Sequence, residues 1–227
     1  MVQRKSHPPH TGCSHEQFFY QQTDCFRGAD VRSFLMQRIA NFLFEAGMLK
    51  RTPRTGHQFL GSGSESVAEH ICRTVFIGYA LVKLAADADE TKVLKMCLLH
   101  DLHEARTGDL NYLNKKYVRA DEAKAVRDLC QTLPFGDEIE RLVSEFNRGE
   151  TREARLAYDA DQLELILMLK EQKDLGNPYA EEWITYALKR LKTDIGAQLA
   201  RHILTTDSTL WWFHDKSDWW VNGGNPE

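Results

Sequence analysis

Apolar residues recur at three- and four-residue steps along most of this chain, and no stretch of useful length alternates in the manner of a strand. That period is met by helices that each bury one stripe, so the pattern predicts an all-α protein of about eight helices. The first spans roughly 31–49, with Phe34, Leu35, Ile39, Phe42, Leu43 and Ala46 in register. Ser66 with Glu69 three residues on forms a capping-box pattern and predicts a helix to about Ala86. Its stripe is Val67, Thr74, Ile77 and Leu81, and His70 falls inside it. A third helix, roughly Glu90 to Ala105, carries Val93, Met96, Cys97 and then His100. Further helices are expected at about 119–132, 136–147, 151–174, 179–191 and 193–204, with Pro134, Gly149 and Gly176-Asn177-Pro178 as breaks. The segment "KRTPRTGHQFLGSGSES" reads as an irregular, locally basic loop.

At 227 residues the chain suits one sizeable core. The expected organisation is a flexible arm over 1–28, one helical domain over 29–206 and a Trp-rich tail over 207–227 packed on that domain. His7, His10, Cys13 and His15 crowd in the arm, but their spacing matches no tight zinc pattern. The net charge of −4, without a basic block, argues against a grip on nucleic acid. The five cysteines are odd in number and lack a CxxC pair. Cys72 and Cys97 sit in apolar patterns, where free cysteine is a small core residue, and a reducing compartment fits best. No apolar leader and no run long enough for a membrane span is visible, so the expectation is a cytoplasmic protein.

The chemistry concentrates in "LLHDLHEARTGDL", residues 98–110. His100 and Asp101 follow a run that must point into a core, and Glu104 comes one turn later. Burying carboxylates without compensation costs several kcal/mol. Imidazole mixed with carboxylate is the donor set that divalent metals use. Downstream, Asp161 lies on or beside the core-facing stripe of "RLAYDADQLELILMLKE", whereas Asp159 lies on another face. Three helices thus each offer an inward polar residue: His70, the His100–Asp101 pair, and Asp161. One divalent ion would neutralise them together and keep positions open for water and substrate.

The order H…HD…D resembles the HD-domain metal phosphohydrolases. The segments "RTPRTG", "ESVAEH", "LLHDLHEARTGD" and "DADQLE" narrow the resemblance to the YfbR-like 5′-deoxynucleotidase branch, over about residues 31–192. The resemblance implies a single HD-domain helical bundle with His70, His100, Asp101 and Asp161 as metal ligands. It implies catalytic roles for Glu104 and Asp109, and a phosphate-binding arginine at Arg54, with Arg51 as the alternative. Asp109 would fix the sugar or the nucleophile, or protonate the leaving oxygen. One divalent ion is implied, Co²⁺ or Mn²⁺ ahead of Mg²⁺, Zn²⁺, Fe²⁺ or Ni²⁺. The implied reaction is hydrolysis of a nucleoside 5′-monophosphate by a homodimer, with a small nucleotide as the only partner besides the second copy. Relatives carry a tryptophan after the loop arginine, and His57 and Phe59 stand there instead. His57 then faces the substrate, and the choice between deoxyribose and ribose stays open. The rival readings are an HD hydrolase of nucleoside triphosphates or cyclic nucleotides, and a non-catalytic nucleotide sensor.

Overall fold

The computed structural model describes residues 28–213, and the expectations for the arm and for the tail beyond residue 213 lie outside them. Among the described residues, eight helices of nine residues or more carry the fold: α1 (Gly28–Ala46), α3 (Val67–Ala85), α4 (Glu90–Leu99), α6 (Glu122–Cys130), α7 (Gly136–Arg148), α8 (Arg152–Asp174), α9 (Ala180–Leu188) and α10 (Asp194–Thr205). Single-turn helices α2 (His57–Leu60), α5 (Glu104–Thr107) and α11 (Leu210–Phe213) lie between or after them. The architecture is all-α, and the described residues contain no strand, only an isolated bridge between Pro53 and Ser66.

α8 is the axis. It packs against α3, α4, α9 and α10, so Ala154, Leu156, Ala157, Ala160, Leu163, Ile166 and Leu169 are all fully enclosed. A helix covered on most sides can keep a charge only where a partner meets it. Asp159 accepts from the backbone N–H groups of Lys192 and Thr193 at 2.7 and 2.8 Å and from the Thr193 hydroxyl at 2.6 Å. It thereby anchors the start of α10, where Thr193 caps Gly196. A Cβ on Gly196 would collide with the Asp159 carboxylate, so only glycine admits this approach. The interface of α3 with α4 is equally tight, since a Cβ on Gly78 would lie 2.6 Å from Cys97 Sγ.

Several expectations need correction. The helix expected over 90–105 ends at Leu99. From His100 the chain tightens through i→i−3 bonds, Leu102 N–H to Leu99 O at 3.1 Å and Glu104 N–H to Asp101 O at 3.0 Å, before α5 begins. The loop after Lys50 contains α2, which forms because Leu60 plugs the apolar cluster of Met168, Leu169, Ala180 and Ile184, and Gly61 ends it at φ 70°. The stripe on α1 is only half-covered. Phe42 and Ala46 pack on a cluster built from α3, α6 and α7, but Leu43 and Phe44 are exposed. Cys72 is exposed on the flank of α3, whereas Cys97 and Cys130 are buried. Apolar neighbours in sequence did not distinguish the two faces of that helix.

Candidate metal centre and cavity

Local structure brings the polar residues together. The capping box forms as expected: Ser66 Oγ accepts from Glu69 N–H at 3.2 Å, and Glu69 returns a bond to Ser66 N–H at 2.7 Å. This sets the start of α3, and His70 lies one turn in, fully buried. The same start holds the preceding loop. Val67 N–H donates to Thr52 O at 2.9 Å and Arg54 N–H to Glu65 O at 2.8 Å, which sets Arg54 beside the centre. The tightened turn after α4 presents His100 and Asp101 from adjacent positions, and α8 contributes Asp161.

These four side chains converge. His70 Nε2 lies 3.1 Å from Asp161 Oδ1, 3.6 Å from Asp101 Oδ2 and 3.4 Å from His100 Nε2. His100 Nε2 lies 3.3 Å from Asp101 Oδ2 and 3.9 Å from Asp161 Oδ1. Their outer atoms are held. His70 Nδ1 donates to Glu164 Oε2 at 2.6 Å, and His100 Nδ1 to Cys97 O at 2.9 Å. Both Nε2 atoms therefore face inward, the orientation that second partners impose on ligating imidazoles. Glu164, itself buried, is gripped by Arg73 Nε at 2.9 Å and Nη2 at 2.6 Å. Glu164 shares the face of Asp161 at i+3, a legible spacing, but its role depends on Arg73 from α3.

The electrostatics follow. Burial works against the charge on Asp101, yet His100, His70 and Arg54 outweigh it and hold the carboxyl well below the usual range. Asp161 is lowered in the same way against burial, by His70 and His100. Burial and Arg54 disfavour the imidazolium of His70, but Asp161 and Glu164 prevail and push it up to about 10. Glu104 moves the other way. Burial, then the charges of Asp101 and Asp109, push it up to about 9, and its Oε2 is buried without a hydrogen-bond partner. His70, His100 and Asp161 present their ligand atoms to one another closely enough to share a cation. Asp101 stands beside both imidazoles, and with an orphaned carboxyl oxygen on Glu104 the donors fit a divalent cation.

The centre forms the floor of a cavity of about 420 Å³. Arg54 lines it, with Nη1 3.5 Å from Asp101 Oδ2 and 3.9 Å from Asp109 Oδ1. Burial opposes the Arg54 charge, but Asp101, Asp109, Asp161 and Glu104 together strengthen it. Arg51, the alternative, is exposed and does not line the cavity. Its register differs: Arg54 follows the bridge at Pro53, while Arg51 closes the preceding 3₁₀ turn. Asp109 accepts from Thr55 N–H at 2.7 Å, so it braces the Arg54 loop. His57 lines the cavity with Nδ1 against Ser62 O at 3.2 Å, and its Nε2 is buried without a partner. Phe59, Tyr112, Trp183, Tyr186, Gln162 and Arg190 also line the cavity. The tryptophan comes from α9, about 130 residues beyond Arg54 in sequence, a placement that no local pattern announced.

Residues 46–203 match the HD-domain family model HD_3. The chain belongs to the HD-domain family. Within it, this HD domain is 30% identical to the 5′-deoxynucleotidase HDDC2 of Homo sapiens over 156 residues, 66% of this chain and 73% of the human protein. It is 32% identical to the 5′-deoxynucleotidase HDDC2 of Dictyostelium discoideum over 148 residues, 60% of this chain and 78% of that protein. Among solved structures, a conserved hypothetical protein from Pyrococcus furiosus superposes with a TM-score of 0.62 at 34% identity, covering 72% of this chain and 96% of that one. A predicted metal-dependent phosphohydrolase from Magnetospirillum magnetotacticum superposes with a TM-score of 0.58 at 26% identity, covering 75% and 93%. No helix among the described residues is long and apolar enough to cross a membrane.

Proposed function

We propose that this HD domain is a metal-dependent phosphomonoesterase that hydrolyses (deoxy)ribonucleoside 5′-monophosphates to nucleoside and phosphate. The observation that carries the reading is the cavity: His70, His100, Asp101 and Asp161 converge at its floor, Arg54 and Glu104 stand beside them, and Phe59, Tyr112, Trp183 and Tyr186 line the same space. The 5′-deoxynucleotidase relatives support the same substrate class.

His70, His100, Asp101 and Asp161 would hold the ion, Co²⁺ or Mn²⁺ in first place. When bound, it supplies Lewis acidity and makes hydroxide available near neutral pH. Arg54 binds the phosphoryl oxygens and offsets charge in the transition state. Burial and the charges of Asp101 and Asp109 push the Glu104 carboxyl up, and Glu104 would orient the attacking water and take its proton. The water oxygen forms a bond to phosphorus as the bond to O5′ breaks, and the proton taken from the water by Glu104 is the one that ends on O5′ of the leaving nucleoside. Asp109 keeps the Arg54 loop in place through Thr55.

The test crosses Co²⁺, Mn²⁺, Mg²⁺ and Zn²⁺ with ribo- and deoxynucleoside mono- and triphosphates. Metal-dependent release of phosphate from monophosphates is expected. Asp101→Ala should lose both ion and activity, and Glu104→Ala should keep the ion and lose most of the rate. Phosphate release that persists in chelator would sink the assignment. Lys115 and Arg190 add two cations to the cavity lining, which favours triphosphates as the second reading, and release of triphosphate from a deoxynucleoside triphosphate would establish it.

A further inference from the structure

Arg190 is a cation held against a ring of the cavity lining. The Arg190 guanidinium lies over Tyr112, 4.8 Å from the ring centroid, and Nη1 donates to Gln162 Oε1 at 3.3 Å. Gln162 is buried, and its Nε2 donates to Asp161 Oδ2 at 2.8 Å. The floor aspartate, a neutral amide and the guanidinium therefore form one connected chain along the cavity wall. Arg190 is fixed from two sides before any ligand arrives, so little side-chain freedom is lost on binding. A guanidinium carries five donors in a planar fork and accepts nothing. The bond to Gln162 uses one of them.

We infer that Arg190 reads the nucleobase and selects guanine, an inference that rests on the nucleoside monophosphate reading above. Trp183, Tyr186 and Tyr112 line the same cavity as Arg54, so a nucleotide whose phosphate is held at Arg54 would set its base among these rings. Stacking there accepts any base, because every base has a π-face. Discrimination needs a polar edge, and Arg190 with its Gln162 support supplies one. Guanine offers O6 and N7 as adjacent acceptors that match the fork. Adenine sets its N6 donor beside N7 and meets donor with donor. Pyrimidines present a single carbonyl at a comparable reach. Arg190 touches the base and not the reacting atoms, so it determines specificity without taking part in the chemistry.

The test measures calorimetric affinity and, separately, turnover on the Mn²⁺-loaded full chain with dGMP, dAMP and 2-deoxyribose 5-phosphate. Wild type should favour dGMP over dAMP by about tenfold in both readouts, the scale of one bidentate contact. Arg190→Ala should bring that ratio close to one. Arg190→Lys keeps the charge and the stem but loses the fork, so it should do the same while guarding against a folding defect. Deoxyribose 5-phosphate should lose less than dGMP does in either variant. No guanine preference in wild type, or a preference unchanged in both variants, overturns the inference. An equal loss for all three ligands overturns it too, because Arg190 would then contact phosphate. Guanine-selective binding without turnover of any monophosphate would sink the phosphomonoesterase reading and leave this one standing. Turnover of both nucleotides without base preference would do the reverse.

Discussion

At the scale of single residues, the centre is controlled by groups one step behind it. Glu164 orients His70 through Nδ1, and His70 first and then Arg73 keep Glu164 charged against its burial. Glu164→Gln retains the shape and loses the charge. It is expected to weaken metal affinity by about 10- to 100-fold, as removal of such partners does elsewhere; titration against a competing chelator measures it, and unchanged affinity would remove Glu164 from this role. The same centre predicts a proton count. The His70 pKa of about 10 in the ion-free protein lies above the ordinary histidine value, so the imidazolium persists at pH 7, and a ligating Nε2 must give up that proton. Glu104, at about 9, is neutral there as well. Metal uptake should therefore expel protons, and affinity should rise with pH through neutrality toward those values. Calorimetry in buffers of different ionisation enthalpy reads this directly, and an uptake without proton release at pH 7 would contradict it.

At the scale of elements, charged residues inside the central helix do separate jobs. Asp161 and Glu164 serve the centre, while Asp159 holds the start of α10. Burial pushes the Asp159 carboxyl up, and its three donors only partly offset that. Asp159→Ala leaves those donors unmet in a closed site and should cost about 3 kcal/mol. Gly196→Ala should destabilise by displacing the same carboxylate. Thermal unfolding at fixed metal concentration checks both, with a drop on the order of 10 °C expected for Asp159→Ala. The turn after Leu99 is the other decisive element. Adjacent residues in a helix point about 100° apart, yet here the two side chains meet, with His100 Nε2 3.3 Å from Asp101 Oδ2.

At the scale of the whole molecule, the centre ties together three helices that are remote in sequence: α3, the end of α4, and α8. A ligand bound only by the folded state stabilises it in proportion to the logarithm of its concentration. Metal at about 1,000 times its dissociation constant should add about 4 kcal/mol, and chelation should lower Tm by on the order of 10 °C. Equal melting with and without chelator would show that the centre carries no such linkage. The periodic stripes determined the helices and their order, because a helix face is written in residues three and four apart. They also set His70 and His100 on inward stripes and Asp161 on or beside one. Only the tertiary structure decided which Nε2 atoms meet, that Arg54 and not Arg51 reaches the cavity, and that Trp183 and Arg190 line it. Those outcomes depend on contacts between segments tens of residues apart, and a local period carries no record of which helix packs beside which.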